Sequence, residues 1–112
     1  MFGFQKLDVY RCAIEFLALA SPLSENVPKG YASLGDQLRR ASASIPLNLA
    51  EGTGKFDKDA RRFYAIARGS ALECAAIVDV FKTLGLIQIE NYDKTQLLLD
   101  RIVAMLTKMI RE

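Results

Sequence analysis

Histidine is missing from this 112-residue chain. That removes the commonest general base near neutral pH and the commonest transition-metal ligand. A di-iron bundle built on Glu-x-x-His is excluded with it. Tryptophan is also absent, and there are only two cysteines, Cys12 and Cys74. They lie far apart and form no CxxC pair, which favours buried free thiols in a reducing cytoplasm over a disulfide. No apolar run reaches the roughly 18 residues that a membrane span needs. The apolar stretch ending Ala18-Leu19-Ala20-Ser21 is shaped like a leader, but Asp8 and Glu15 interrupt it and its apolar residues fall at helical spacing. Nothing alternates with period two for long enough to make a strand. Charge of one sign is scarce too: 15 basic against 13 acidic side chains leave +2, so only its distribution can say anything about partners.

What is present is helical periodicity in a chain sized for one domain over residues 1–112. Leu7, Tyr10, Ile14 and Leu17 form a first stripe, closed by a loop with Pro22, Pro28 and Gly30. A second helix starts near Ala32, carries Leu34, Leu38, Ala41, Ile45 and Leu49, and stops at Gly52 and Gly54, which can turn left-handed at a C-terminus. Asp57 is the expected N-cap of a third helix, with Phe63, Ile66, Ser70, Cys74, Ile77, Phe81 and Leu84 on one side and Gly85 at its end. A fourth begins near Glu90 to Asn91 and buries Tyr92, Leu99, Ile102, Leu106 and Ile110. Short connections favour antiparallel neighbours, so the expected fold is all-α, an up-down-up-down four-helix bundle. Pro46 interrupts the second helix. The unbroken apolar phase favours a kinked helix, with Ser42 and Ser44 offering hydroxyls to freed backbone groups. The alternative is a helix ending at Ser44 and restarting at Pro46.

Helices two and three are apolar on both sides. Ala43, Leu47 and Ala50 back the second helix, and Ala65, Gly69, Leu72 and Ala76 back the third. A helix in a lone bundle must show one face to water, so these seven residues are expected to form a homo-oligomer interface. The fourth helix is different, with Asp93, Lys94, Arg101, Lys108 and Arg111 crowding its outside.

Catalytic signatures are weak. Gly52-Thr53-Gly54-Lys55 imitates the tail of a phosphate loop, but Leu49 and Phe56 stand where glycine and Ser or Thr are required. Glu51 and Glu73 could form a carboxylate pair, yet with Gln37, Ser44, Asn48 and Ser70 they are read as a structural polar set that fixes helix register. No catalytic, cofactor or metal site is expected, and no small-molecule substrate. Basic charge is uneven: Lys29 to Arg68 holds eight basic residues against four acidic ones. Arg39, Arg40, Lys55, Lys58, Arg61, Arg62 and Arg68, close in sequence to Phe56 and Tyr64, are the candidates for contacting RNA or DNA.

The segments "QLRRASASIPLNLAEG", "RRFYAIARGSALEC" and "LLLDRIVAMLTKMI" make the chain resemble the bacterial four-helix-bundle proteins of the 23S ribosomal RNA intervening-sequence family. Phe4 to Tyr10 fits the same family's opening, with Tyr10 where many members have tryptophan. The resemblance implies a small cytoplasmic protein that assembles as a ring, commonly of five bundles. It also implies kinship with the accessory variability protein of diversity-generating retroelements, a basic ring that works with nucleic acid. It assigns no catalytic role to any residue.

Overall fold

The computed structural model describes residues 1–112 and contains four helices and no strand. A short 3-10 turn over Gly3–Lys6 leads into α1 (Asp8–Glu25), followed by α2 (Ala32–Thr53), α3 (Asp57–Thr83) and α4 (Ile89–Arg111). Each helix packs against its two neighbours around the bundle, and the backbones of the diagonal pairs do not approach closely. This is the up-down arrangement, drawn out to 44 × 26 × 23 Å. The long axis follows from α3, whose 27 residues span about 40 Å at 1.5 Å each.

The core lies along the bundle axis and includes Phe16, Leu38, Ile45, Leu49, Phe81, Leu99, Ile102 and Leu106, all essentially without solvent contact. Full burial of each such side chain contributes about 1.5–3 kcal/mol. The backbone is satisfied within the helices, which supply 72 of its 87 hydrogen bonds. The buried hydroxyls are satisfied locally as well. Ser24, Ser42 and Thr95 each donate to the carbonyl three residues back, on Ser21, Arg39 and Tyr92. No buried side-chain polar atom lacks a partner.

Several sequence expectations are corrected. The buried stripe of α1 is Val9, Cys12, Ala13, Phe16 and Ala20, whereas Ile14 is exposed and Leu7, Tyr10 and Leu17 are only partly covered. In α3, Phe63 is half-buried, and Ile66 and Leu84 are exposed; Ala67, Ala71 and Val78 take their places in the core. Helix α1 continues through Pro22 to Glu25. The ring is exposed there, while Leu23 and Ser24 behind it still pack inward, and the Asn26 backbone and side-chain N–H groups both cap the Pro22 carbonyl.

Helix α2 is unbroken through Pro46, which is buried between Ile45 and Leu49 in the packed part of the helix. Burial of the ring, and of Ile45 and Leu49 on the same side of the helix, offsets the lost backbone bond. Neither serine hydroxyl repairs that bond: Ser42 Oγ serves the Arg39 carbonyl, and Ser44 Oγ meets Ser70 Oγ. Gly54 keeps φ near −88°, so no left-handed glycine ends α2. The left-handed step falls instead on Asp57 (φ 50°), which is the first residue of α3 and makes no capping hydrogen bond. Aspartate tolerates that region better than most side chains. At the far end of α3, Gly85 (φ 73°) does turn left-handed. Its N–H donates to the Lys82 carbonyl, and that of Leu86 to the Phe81 carbonyl at 2.8 Å, the paired bonds of a Schellman cap.

Candidate nucleic-acid interface

In an up-down bundle the starts of α1 and α3 and the ends of α2 and α4 meet at one pole. Here that pole collects residues 1–8, 51–62 and 108–112, with seven cations against five anions. The rest of the chain is balanced, so the whole +2 excess sits at this end. Of the seven basic residues expected to contact nucleic acid, the structure brings four together: Lys55, Lys58, Arg61 and Arg62, all exposed around the α2–α3 turn. Chain topology adds Lys6, Lys108 and Arg111, which sequence proximity had not associated with the turn.

The other three candidates lie elsewhere. Arg39 and Arg40 stand about 20 Å up α2 from Gly54. Arg39 is ion-paired with Asp36, and Arg40 opens onto a polar cleft between α2 and α3. Arg68 is half-buried and donates from Nε to Thr107 Oγ1 at 2.8 Å, tying α3 to α4. Two pole cations are also engaged: Lys55 lies 3.7 Å from Glu51, and Lys108 lies 3.9 Å from Glu112. These exposed contacts are weak and easily exchanged for a phosphate. Asp57 and Asp59 occupy the first turn of α3, where they complement the positive end of the helix dipole.

The pole is aromatic as well. Phe2 and Phe4 stack with ring centroids 5.8 Å apart, and Phe4 meets Tyr10 edge-on at 5.0 Å. The Phe2 N–H donates to Gln5 Oε1 at 2.7 Å and closes this turn. Phe63 is covered by cations, with Arg62 Cζ at 4.8 Å and Lys55 Nζ at 5.9 Å from its centroid. Tyr64 packs against Gly52, and burial raises its phenol pKa above the usual value. It is thus a wall of the pole and not an open stacking ring. Phe56 is the ring left bare, at 85% exposure, and Phe2 follows at 71%. Between the N-terminal turn and the end of α2 runs a mostly apolar groove of about 620 Å³, walled by Phe2, Phe4, Ala50, Tyr64 and Met109.

The polar set resolves into two places. Ser44 and Ser70 join α2 to α3 through a 2.8 Å hydroxyl pair. Asn48 Nδ2 donates to both the carbonyl and the hydroxyl of Ser44 at 2.9 Å. Gln37, Arg40 and Glu73 line the cleft above that pair. Glu51 is not with them, being seven residues further down α2 beside Lys55. About ten residues of helical rise, or roughly 15 Å, separate it from Glu73. No group of three or more metal-ligating side chains is assembled.

The outer-face residues occupy different sides of the bundle. Leu47 is 68% exposed at the outer edge of α2, while Ala43 and Ala50 are half-buried and turned toward α1. There they join Tyr10, Ile14 and Leu17 in one apolar flank. Leu72 is 46% exposed and opens onto the opposite flank, a groove between α3 and α4 with Ala75, Leu97 and Val103. Ala65, Gly69 and Ala76 lie exposed along the back of α3.

These features define a small antiparallel four-helix bundle with a basic, aromatic pole. Residues 5–108 match the family described as 23S rRNA-intervening sequence protein, and the chain belongs to that family. A search of curated proteins gives no match. No helix is long and apolar enough to cross a membrane.

Proposed function

We propose that this protein is a non-enzymatic, cytoplasmic accessory protein that binds RNA or DNA through its basic pole and acts as a homo-oligomeric ring. The observation that carries the reading is the pole itself, where Lys6, Lys58, Arg61, Arg62 and Arg111 stand without an ion-pair partner beside uncovered aromatic rings. Cations so placed neutralise backbone phosphates and release counterions, with little discrimination of sequence. Arg39, Arg40 and Arg68, further up the bundle, contribute to the field and not to the contact.

The ring is supported by the two apolar flanks. The α1/α2 flank (Ile14, Ala43, Leu47) and the α3/α4 flank (Leu72, Ala75, Leu97) are different surfaces on opposite sides of one chain. A contact that joins unlike surfaces is head-to-tail and forms a closed ring when its rotation closes. The pentamer implied by the family resemblance is one such closure. Repetition of the pole around a ring raises avidity without any new contact.

Labelled RNA titrated at low and high salt tests the binding. The account expects tight binding at low salt, marked weakening at high salt, and loss in the Lys58→Glu/Arg62→Glu variant but not in Arg39→Glu. Absence of binding at low salt, or binding indifferent to salt, overturns it. Exposed Leu84 and Ile89, at the end of the bundle opposite the basic pole and outside both flanks, favour a second reading, a scaffold whose partner is a protein. Partners that survive nuclease digestion in a pull-down would select that reading.

A further inference from the structure

We infer that the pole takes unpaired nucleotides of single-stranded nucleic acid, and that Phe56 is the ring on which a base stacks; this rests on the nucleic-acid reading above. Phe56 precedes α3 in extended conformation (φ −122°, ψ 145°), between Lys55 and Lys58, and makes no ring contact within the chain. A phenylalanine left in water forfeits the burial that its side chain would otherwise gain, and nothing in the fold of the chain requires it there. The neighbouring Phe63 already carries Arg62 and Lys55 over its ring, so the cations are held at an aromatic surface and not dispersed into solvent. Bases in a duplex are stacked inside it and cannot reach such a ring, whereas a single strand offers a π-face at every nucleotide.

The apolar groove beside Phe2 and Phe4 extends the same logic. At about 620 Å³ it has room for a splayed base. Its occupant is assigned as a base and not a lipid chain or a partner's apolar side chain because exposed cations adjoin its walls along the chain: Lys6 precedes Leu7, and Lys55 follows Gly54. That places phosphate-binding groups next to base-binding surface, the combination that single-strand binders use. RNA and DNA strands share this chemistry.

Fluorescence anisotropy with a labelled RNA strand, a DNA strand of the same sequence and an RNA duplex of equal length tests the assignment. Phe56→Ala, Phe56→Trp and wild type are compared at one salt concentration. Phe56 is exposed, so the alanine variant should keep its circular dichroism and melting temperature. The expected result is tighter binding of a single strand than of the duplex. Phe56→Ala should lose about tenfold or more on the strand while duplex binding stays within about twofold, and Phe56→Trp should restore strand binding. Preference for the RNA or the DNA strand then names the natural source. Equal binding of strand and duplex, or a Phe56→Ala variant indistinguishable from wild type, overturns base stacking but leaves phosphate binding standing. No binding to any of the three at low salt overturns the nucleic-acid reading itself, and this inference with it. A fall in oligomer mass on Phe56→Ala assigns the ring to a second copy and also overturns the proposal.

Discussion

Gly52→Ala gives the sharpest test of how the pole is packed. Gly52 is a buried residue in the last turns of α2, and a Cβ built there would lie 2.6 and 2.9 Å from the Tyr64 ring and 3.2 Å from Phe63 Cβ. In an unobstructed helix, replacement of glycine by alanine gains about 1 kcal/mol. Here the methyl group must displace a tyrosine that is itself packed as a wall of the pole, and such overpacking costs about 1–3 kcal/mol. The net is a loss of about 1 kcal/mol, or about 4 °C in melting temperature for a domain of this size. Urea unfolding followed by circular dichroism measures it as a lowered midpoint at constant m-value. Because Tyr64 and Phe63 are neighbours of Arg62 and Arg61, displacement of the ring should also weaken nucleic-acid binding. A Gly52→Ala protein more stable than wild type would mean that Tyr64 does not pack against α2, and the geometry of the pole would fall with it.

Leu47→Glu or Leu72→Glu should each lower the mass seen by light scattering, since a ring uses both flanks; a monomeric wild type would refute the assembly. Gly69→Ala separates the chain from its assembly: a Cβ at Gly69 meets nothing within 4 Å in the chain, so the isolated bundle should gain about 1 kcal/mol in urea unfolding. A loss there can come only from a second copy against α3. Thr107→Val removes the acceptor of the Arg68 hydrogen bond and should cost about 1–2 kcal/mol in urea midpoint, whereas a purely surface arginine would show no change. Burial, with Glu73 adding to it, pushes the Cys74 thiol up to about 12 from its ordinary value near 9. The unfolded chain therefore loses this proton before the folded one. The contribution of Cys74 to stability should be level below pH 9 and be lost as pH rises from about 9 toward 12, so the alkaline fall, to which the raised Tyr64 phenol also adds, should be shallower in Cys74→Ala; identical slopes would contradict the burial.

Helix number, order and most boundaries were legible because each break is written in glycine or proline. Pro28 and Gly30 end the first connection, Gly54 marks the second, and Gly85 closes α3. The phase of α1 was not legible, for a physical reason. Leu7, Tyr10, Ile14 and Leu17 keep helical spacing as faithfully as Val9, Cys12, Phe16 and Ala20. Periodicity shows that a face is apolar, but which of two apolar faces meets the core depends on the neighbouring helices. The displaced stripe turned out to lie on the α1/α2 flank, where it adds to the exposed apolar surface that the two-sided α2 had already suggested. The basic site was half legible. Lys55 to Arg62 are close in sequence and stayed close in space. Arg39 is matched by Asp36 one turn away, whereas the commitment of Arg68 to Thr107, 39 residues further on, needed the fold. So did the arrival of Lys6, Lys108 and Arg111 from the two ends of the chain. The polar set read across α2 and α3 is split, with Glu51 apart from Glu73, because antiparallel α2 and α3 align Ser44 with Ser70, which carries the two carboxylates in opposite directions.

The most direct measurement of the central claim is the slope of log affinity against log salt for a labelled RNA strand. If Lys55, Lys58, Arg61 and Arg62 each neutralise one phosphate of a single strand, the slope is about −3 per chain engaged, and Lys58→Ala brings it closer to zero by about 0.7. A flat line, or a Lys58→Ala slope identical to wild type, would contradict the assignment of this pole to nucleic acid.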